Sequence, residues 1–114
     1  MQLIVAIVRP FKVVEIVDAV EADAQFPGMT VMDCRGFGRE KTRPHQHVPH
    51  EDLTDFVDHK AILVAAADDQ AEAIARRIEA LARTGQPGDG KVFVVPLAGA
   101  VRIETGERGE AALR

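Results

Sequence analysis

The chain contains no tryptophan and no tyrosine, and five phenylalanines supply every aromatic ring in its 114 residues. Stacking platforms for single-stranded nucleic acid are hard to build from so few rings. A single cysteine, Cys34, excludes an internal disulfide. The opening Met1-Gln2-Leu3-Ile4 lacks the basic segment, apolar stretch and small-residue cleavage site of a secretory leader. No apolar run approaches the ~18 residues of a membrane span. These absences point to a cytoplasmic protein that meets a membrane only through a partner. Charge of one sign is also missing as a block: fourteen basic and eighteen acidic residues are interspersed and leave a net charge of −4. No nucleic-acid partner is expected without a basic face. No Ser-His-Asp set or pair of carboxylates stands in a catalytic context, and Asp68-Asp69 reads as a helix start, so no enzyme is indicated.

What is present centres on Thr84-Gly85-Gln86-Pro87-Gly88-Asp89-Gly90-Lys91-Val92-Phe93-Val94. Three glycines and a lysine stand at the mouth of an apolar strand. Glycine lets successive amide N–H groups turn to one side as a nest, and Lys91 adds a point charge, so the segment reads as an anion cradle. Gly85 to Lys91 also has the spacing GxxxxGK of a nucleotide-binding signature. Val92 follows where Ser or Thr must reach Mg²⁺, and the order is helix, loop, strand, which excludes a Walker-type site. The plainer alternative is an ordinary connection in which the glycines only turn the chain.

The length fits one domain, 1–114, which buries about two thirds of its unfolded surface. Leu3 to Val8 reads as a buried strand. Pro10 opens a helix with Val13, Ile16, Val17 and Val20 on one face, and Pro27-Gly28 ends it. Met29 to Phe37 reads as a second strand, and Gly36 and Gly38 release it. Arg39 to about Asp55 is polar, with two prolines, three histidines and no apolar period, and reads as a long exposed loop of the kind that carries function. Ala61 to Ala67 is a strand apolar at both parities. Asp69 and Glu72 suggest a capping-box start to a helix with Ile74, Ile78 and Leu81 facing inward, closed by Arg83 and Gly85. Val92 to Leu97 is a fourth strand, and 104–114 is a charged, mobile tail. The order βαββαβ predicts an α+β, ferredoxin-like split βαβ domain, with one four-stranded antiparallel sheet and two helices on one face. The other sheet face is apolar too, and a homo-oligomer is the economical cover.

With Arg9-Pro10-Phe11-Lys12, Gly28-Met29-Thr30-Val31, Gly36-Phe37-Gly38-Arg39, Thr84-Gly85, Gly88-Asp89-Gly90-Lys91, Arg102-Ile103 and Thr105-Gly106-Glu107 in order, the chain resembles the PII signal-transduction proteins over nearly its whole length. The resemblance implies nitrogen regulation by a homotrimer that binds adenine nucleotide (ATP, ADP or AMP) in clefts between subunits. It also implies a protruding T-loop that docks on a target such as a membrane transporter or a metabolic enzyme. Carried over residue by residue, it places Gly88, Asp89, Gly90, Lys91 and Arg102 at the phosphates. Thr30, Gly36, Phe37, Gly38 and Arg39 fall beside the nucleotide, and Glu40, Lys41 and Asp52 lie in the effector loop with His59 at its root.

Several positions depart from the family pattern. Glu104 stands where the family is usually basic, which removes a phosphate contact or turns elsewhere. Glu40 replaces the glutamine through which many members bind 2-oxoglutarate with Mg²⁺. Two like charges ~4 Å apart repel by about 4 kcal/mol at intermediate dielectric, although Glu40 could ligate a metal by itself. His59 replaces a lysine that pairs with the same keto acid, and neutral imidazole is a weak substitute. Asp52 stands where some members carry a modifiable tyrosine. These changes predict an adenylate reader whose 2-oxoglutarate sensing is lost or altered. The alternative is a metal-responsive trimer, similar in fold to the divalent-cation-tolerance proteins, in which His45, His47 and His50 hold a transition metal.

Overall fold

The computed structural model describes residues 1–23, 25–37 and 56–114. Four strands, β1 (Gln2–Val8), β2 (Thr30–Gly36), β3 (Val57–Ala66) and β4 (Gly90–Pro96), form one sheet in the order β2-β3-β1-β4, with every pairing antiparallel. Two helices, α1 (Val13–Glu21) and α2 (Asp68–Ala82), complete the βαββαβ chain order. A 3-10 turn over Pro10–Lys12 precedes α1, because proline lacks the N–H that a helix interior needs but fits a first turn.

The pleat sorts the side chains. Ile4, Ala6 and Val8 of β1 and Ile62, Val64 and Ala66 of β3 are buried under the helices, which contribute Ile16, Val20, Ala71, Ala75, Ile78 and Ala82. The inward face of α2 is thus largely alanine. Ile74 and Leu81, expected to point inward, pack only at its flank because the small side chains sit nearest the sheet. The expected capping box is also absent. Ala67 is the N-cap and makes no side-chain cap bond, while Asp68 accepts from Gln2 Nε2 at 3.0 Å and from the terminal amine.

The third strand starts four residues before the expected Ala61. Asp58, His59 and Lys60 break the apolar pattern, yet they pair with β2, where Arg35 and Asp33 answer Asp58 and Lys60 as ion pairs on the helix-side face. Segment 104–114 carries a 3-10 helix, Gly109–Leu113, after a turn closed by the Val101–Arg108 bridge.

On the face away from the helices, alternation brings together Leu3, Val5 and Ile7, Met32, Ala61, Leu63 and Ala65, and Phe93 and Val95. Phe93 and Met32 are 49% and 48% exposed, so a broad apolar surface stands uncovered in the single chain. Ile62 lies at the centre of the covered face and is fully buried. Ile62→Ala is expected to lower unfolding stability by about 2–5 kcal/mol, read as a shift of the denaturant midpoint at unchanged slope.

Candidate functional site

The α2–β4 connection is shaped by one carboxylate. Asp89 Oδ2 accepts from the amides of Thr84 and Gly85, both at 2.8 Å, and Oδ1 accepts from the Thr84 hydroxyl and from Arg9 Nε, the latter at 2.9 Å. Hydrogen bonds from the Thr84 hydroxyl and then from Arg9, supported by the two amides, hold this carboxyl well below the usual carboxylate range. Arg9 also donates through Nη2 to the carbonyl of Pro87 at 2.7 Å. His59 Nε2 lies 3.0 Å from the carbonyl of Gly88.

These contacts orient the backbone. In a trans peptide the N–H points opposite to its carbonyl. With the Pro87 carbonyl turned toward Arg9 and the Gly88 carbonyl toward His59, the amides of Gly88 and Asp89 are aimed the other way. Two successive donors so directed, followed by Lys91, have the composition of an anion nest.

Gly90 makes the junction possible. Its φ is +105°, and a Cβ there would lie 1.7 Å from the carbonyl oxygen of Ile7, so only glycine lets the loop close onto β1 at the Val8–Gly90 pair. Beside it is a cleft of about 310 Å³ lined by Ile7, Val8, Arg83, Asp89, Gly90 and Lys91 among others.

The other expected residues divide by position. Gly36 ends β2 next to His59: a Cβ on it would sit 3.8 Å from Nδ1. Phe37 follows, and its ring meets that of Phe56 with centroids 5.3 Å apart, clasping the two ends of the segment that runs from β2 to β3. Thr30 is at the far end of β2, paired with Leu63. Arg102 lies beyond the end of β4, whose seven residues carry the chain about 20 Å from Gly90 to Pro96. There the Arg102 amide donates to the Glu107 carbonyl at 2.8 Å, while the Arg102 Nε is buried without a hydrogen-bond partner, 3.8 Å from a Glu107 carboxylate oxygen. Ala100 accepts from the Gly109 amide at 3.0 Å, and Glu110 lines a cleft with Ala67 and Asp68 at the Pro96 end of the sheet, so one chain does not unite Arg102 with the Gly88–Lys91 loop. Gly38, Arg39, Glu40, Lys41, His45, His47, His50 and Asp52 lie outside the described residues. Among the described residues, no three His, Cys, Asp or Glu side chains cluster as a metal site, and no helix is long and apolar enough to cross a membrane.

The model of the family "Nitrogen regulatory protein P-II" matches residues 1–107. The chain belongs to the P-II family. Similar curated members include the nitrogen regulatory protein P-II of Microchaete diplosiphon, 38% identical over 99% of this chain and the whole of that one. The nitrogen regulatory protein GlnK of Escherichia coli K12 matches at the same identity and coverage. Among solved structures, Arabidopsis thaliana PII bound to citrate aligns with a TM-score of 0.76 at 35% identity, covering 97% of this chain and 90% of that one. P-II proteins are signal-transduction regulators rather than enzymes.

Asp89, which the family resemblance sets in the phosphate loop, has both its oxygens engaged from within the chain. The roles of Arg9 and Thr84 were missed, since neither lies near Asp89 in a way that spacing reveals in advance. Gly90→Ala is expected to disrupt the β1–β4 junction and lower the thermal midpoint by several degrees or more, with a backbone clash as the cause. Asp89 has a lowered folded pKa, so its stabilising contribution is present above the ordinary carboxylate value and is lost as pH falls through the folded one. Asp89→Asn should thus be less stable than the parent at pH 7, and the difference should shrink below about pH 4 in acid-unfolding curves.

Proposed function

We propose that this P-II protein is a trimeric regulator that binds ATP or ADP at subunit boundaries and passes occupancy to a target protein through the segment between Phe37 and Phe56. The observation that carries the reading is the division of cationic groups. Lys91 and the amides of Gly88 and Asp89 stand at one end of the sheet, and Arg102 stands past the other. A polyphosphate that needs both can reach them if two copies of the chain contribute. The uncovered apolar sheet face supplies a reason for copies to associate. Coupling to the effector segment is short: Gly88 touches His59, and His59 adjoins Gly36 at the segment's entry. A ligand that favours one arrangement of this loop shifts the population of the segment tied to it.

His59 lies between two backbone carbonyls, with Nδ1 3.2 Å from that of Val57 and Nε2 3.0 Å from that of Gly88. That engagement supports a site in which His59 does not serve a keto acid as a lysine would.

Subunit complementation tests the assignment. Lys91→Ala and Arg102→Ala should each weaken Mg-ATP binding by roughly 10- to 100-fold in calorimetry, the effect of losing a charge-assisted hydrogen bond, with the oligomer mass unchanged. Trimers assembled from a mixture of the two variants should regain a minority of tight sites, because some boundaries then pair an intact Lys91 with an intact Arg102. Unchanged affinity in both variants would overturn the site, and failure of the mixture to recover would overturn its placement between subunits.

A further inference from the structure

Two acceptors face one imidazole. His59 Nδ1 is 3.2 Å from the carbonyl oxygen of Val57, and Nε2 is 3.0 Å from that of Gly88. A neutral ring has one N–H and one lone pair, so it bonds one carbonyl and sets a lone pair against the other; the imidazolium donates to both. We infer that His59 is a proton-operated positioning residue, which on taking up a proton ties Gly88 of the loop to Val57 at the start of β3 and on losing it releases one of the two. The consequence for nucleotide rests on the function proposed above; the tie itself does not.

The surroundings are compatible with a switching proton. Across the sheet His59 pairs with Cys34 of β2, and Gly36 follows on that strand. Its neighbours Asp58 and Lys60 point to the opposite face and are engaged by Arg35, at 3.4 Å, and Asp33. Just past the end of β1, Arg9 brings a positive charge, which the Asp89 carboxylate answers at 2.9 Å. Lys91 of β4 shares the sheet face with His59, with β1 between their strands. Among the described residues no carboxylate contacts the ring, and the two carbonyl oxygens are its polar partners. Because the Gly88 carbonyl fixes the Gly88–Asp89 peptide, protonation would hold the Asp89 amide in the aimed direction. A preformed donor loses less freedom on binding an anion.

The first test needs no ligand. In ¹H–¹⁵N and ¹H–¹³C spectra recorded across about pH 5 to 8, where imidazoles titrate, the Asp89 amide should move with the same midpoint as the His59 ring, and should cease to titrate in His59→Gln. An amide that ignores the ring, or that titrates unchanged in the variant, would overturn the inference. If the variant does not fold, coincidence of the two midpoints in the parent protein decides.

The second test measures ADP affinity by calorimetry at about pH 8 and pH 6, each parent value divided by that of His59→Gln so that the nucleotide's own protonation cancels. The ratio should rise roughly three- to tenfold at the lower pH. A flat ratio would refute the coupling of the proton to the anion site. Coupled titration without ADP binding at any pH would support the latch and overturn the nucleotide reading.

Discussion

Asp89 takes hydrogen bonds from four groups that belong to two parts of the chain: the segment after α2 at Thr84 and Gly85, and the end of β1 at Arg9. A carboxylate supplies enough acceptor sites for this, and its charge strengthens each bond and offsets that of Arg9. The loop is consequently held from behind. The carbonyls of Pro87 and Gly88 face Arg9 and His59, the amides paired with them in those peptides point away, and the glycine that admits the chain at the Val8–Gly90 pair cannot be exchanged. Removing Asp89 would leave Arg9 and two amides without their shared partner. The nest and its tie to His59 both depend on that clamp.

The same sheet that positions the loop leaves its second face bare. Alternation along β1, β3 and β4 sends Ile4, Ile62 and Val92 toward the helices and Val5, Leu63 and Phe93 the other way. Burial of that second set needs another chain, and association would bring the ends of neighbouring sheets together. Oligomerisation and the proposed nucleotide binding would then be two consequences of one topology, since the cationic groups of a single chain are distributed between opposite ends of its sheet.

The fold was legible because short uninterrupted apolar runs marked Leu3–Val8 and Ala61–Ala67 as strands, a helical period marked Val13–Val20, and Pro and Gly marked the boundaries. Legibility failed where polar residues are satisfied by distant partners. The start of β3 at Val57 is hidden by Asp58, His59 and Lys60, whose strand character comes from pairing with β2. Asp69 and Glu72 have the letters of a capping box, but the helix begins at Asp68, whose carboxylate serves Gln2. At the candidate site, Gly88, Gly90 and Lys91 were legible from composition as an anion cradle. The inward duty of Asp89 and the grip of His59 on Gly88 were not, because contacts across 80 and 29 residues leave no mark on local sequence.

The central claim is that the loop from Thr84 to Lys91 is braced by Arg9, Asp89 and His59 so that its outward amides and Lys91 receive phosphate. A crystal structure of the protein with Mg-ADP measures this directly. The account predicts phosphate oxygens within hydrogen-bond distance of the Gly88 and Asp89 amides and of Lys91, with Arg102 arriving from an adjacent copy and the Arg9–Asp89 contact retained. Nucleotide bound elsewhere, or an Asp89 carboxylate swung out of its clamp toward the ligand, would contradict it.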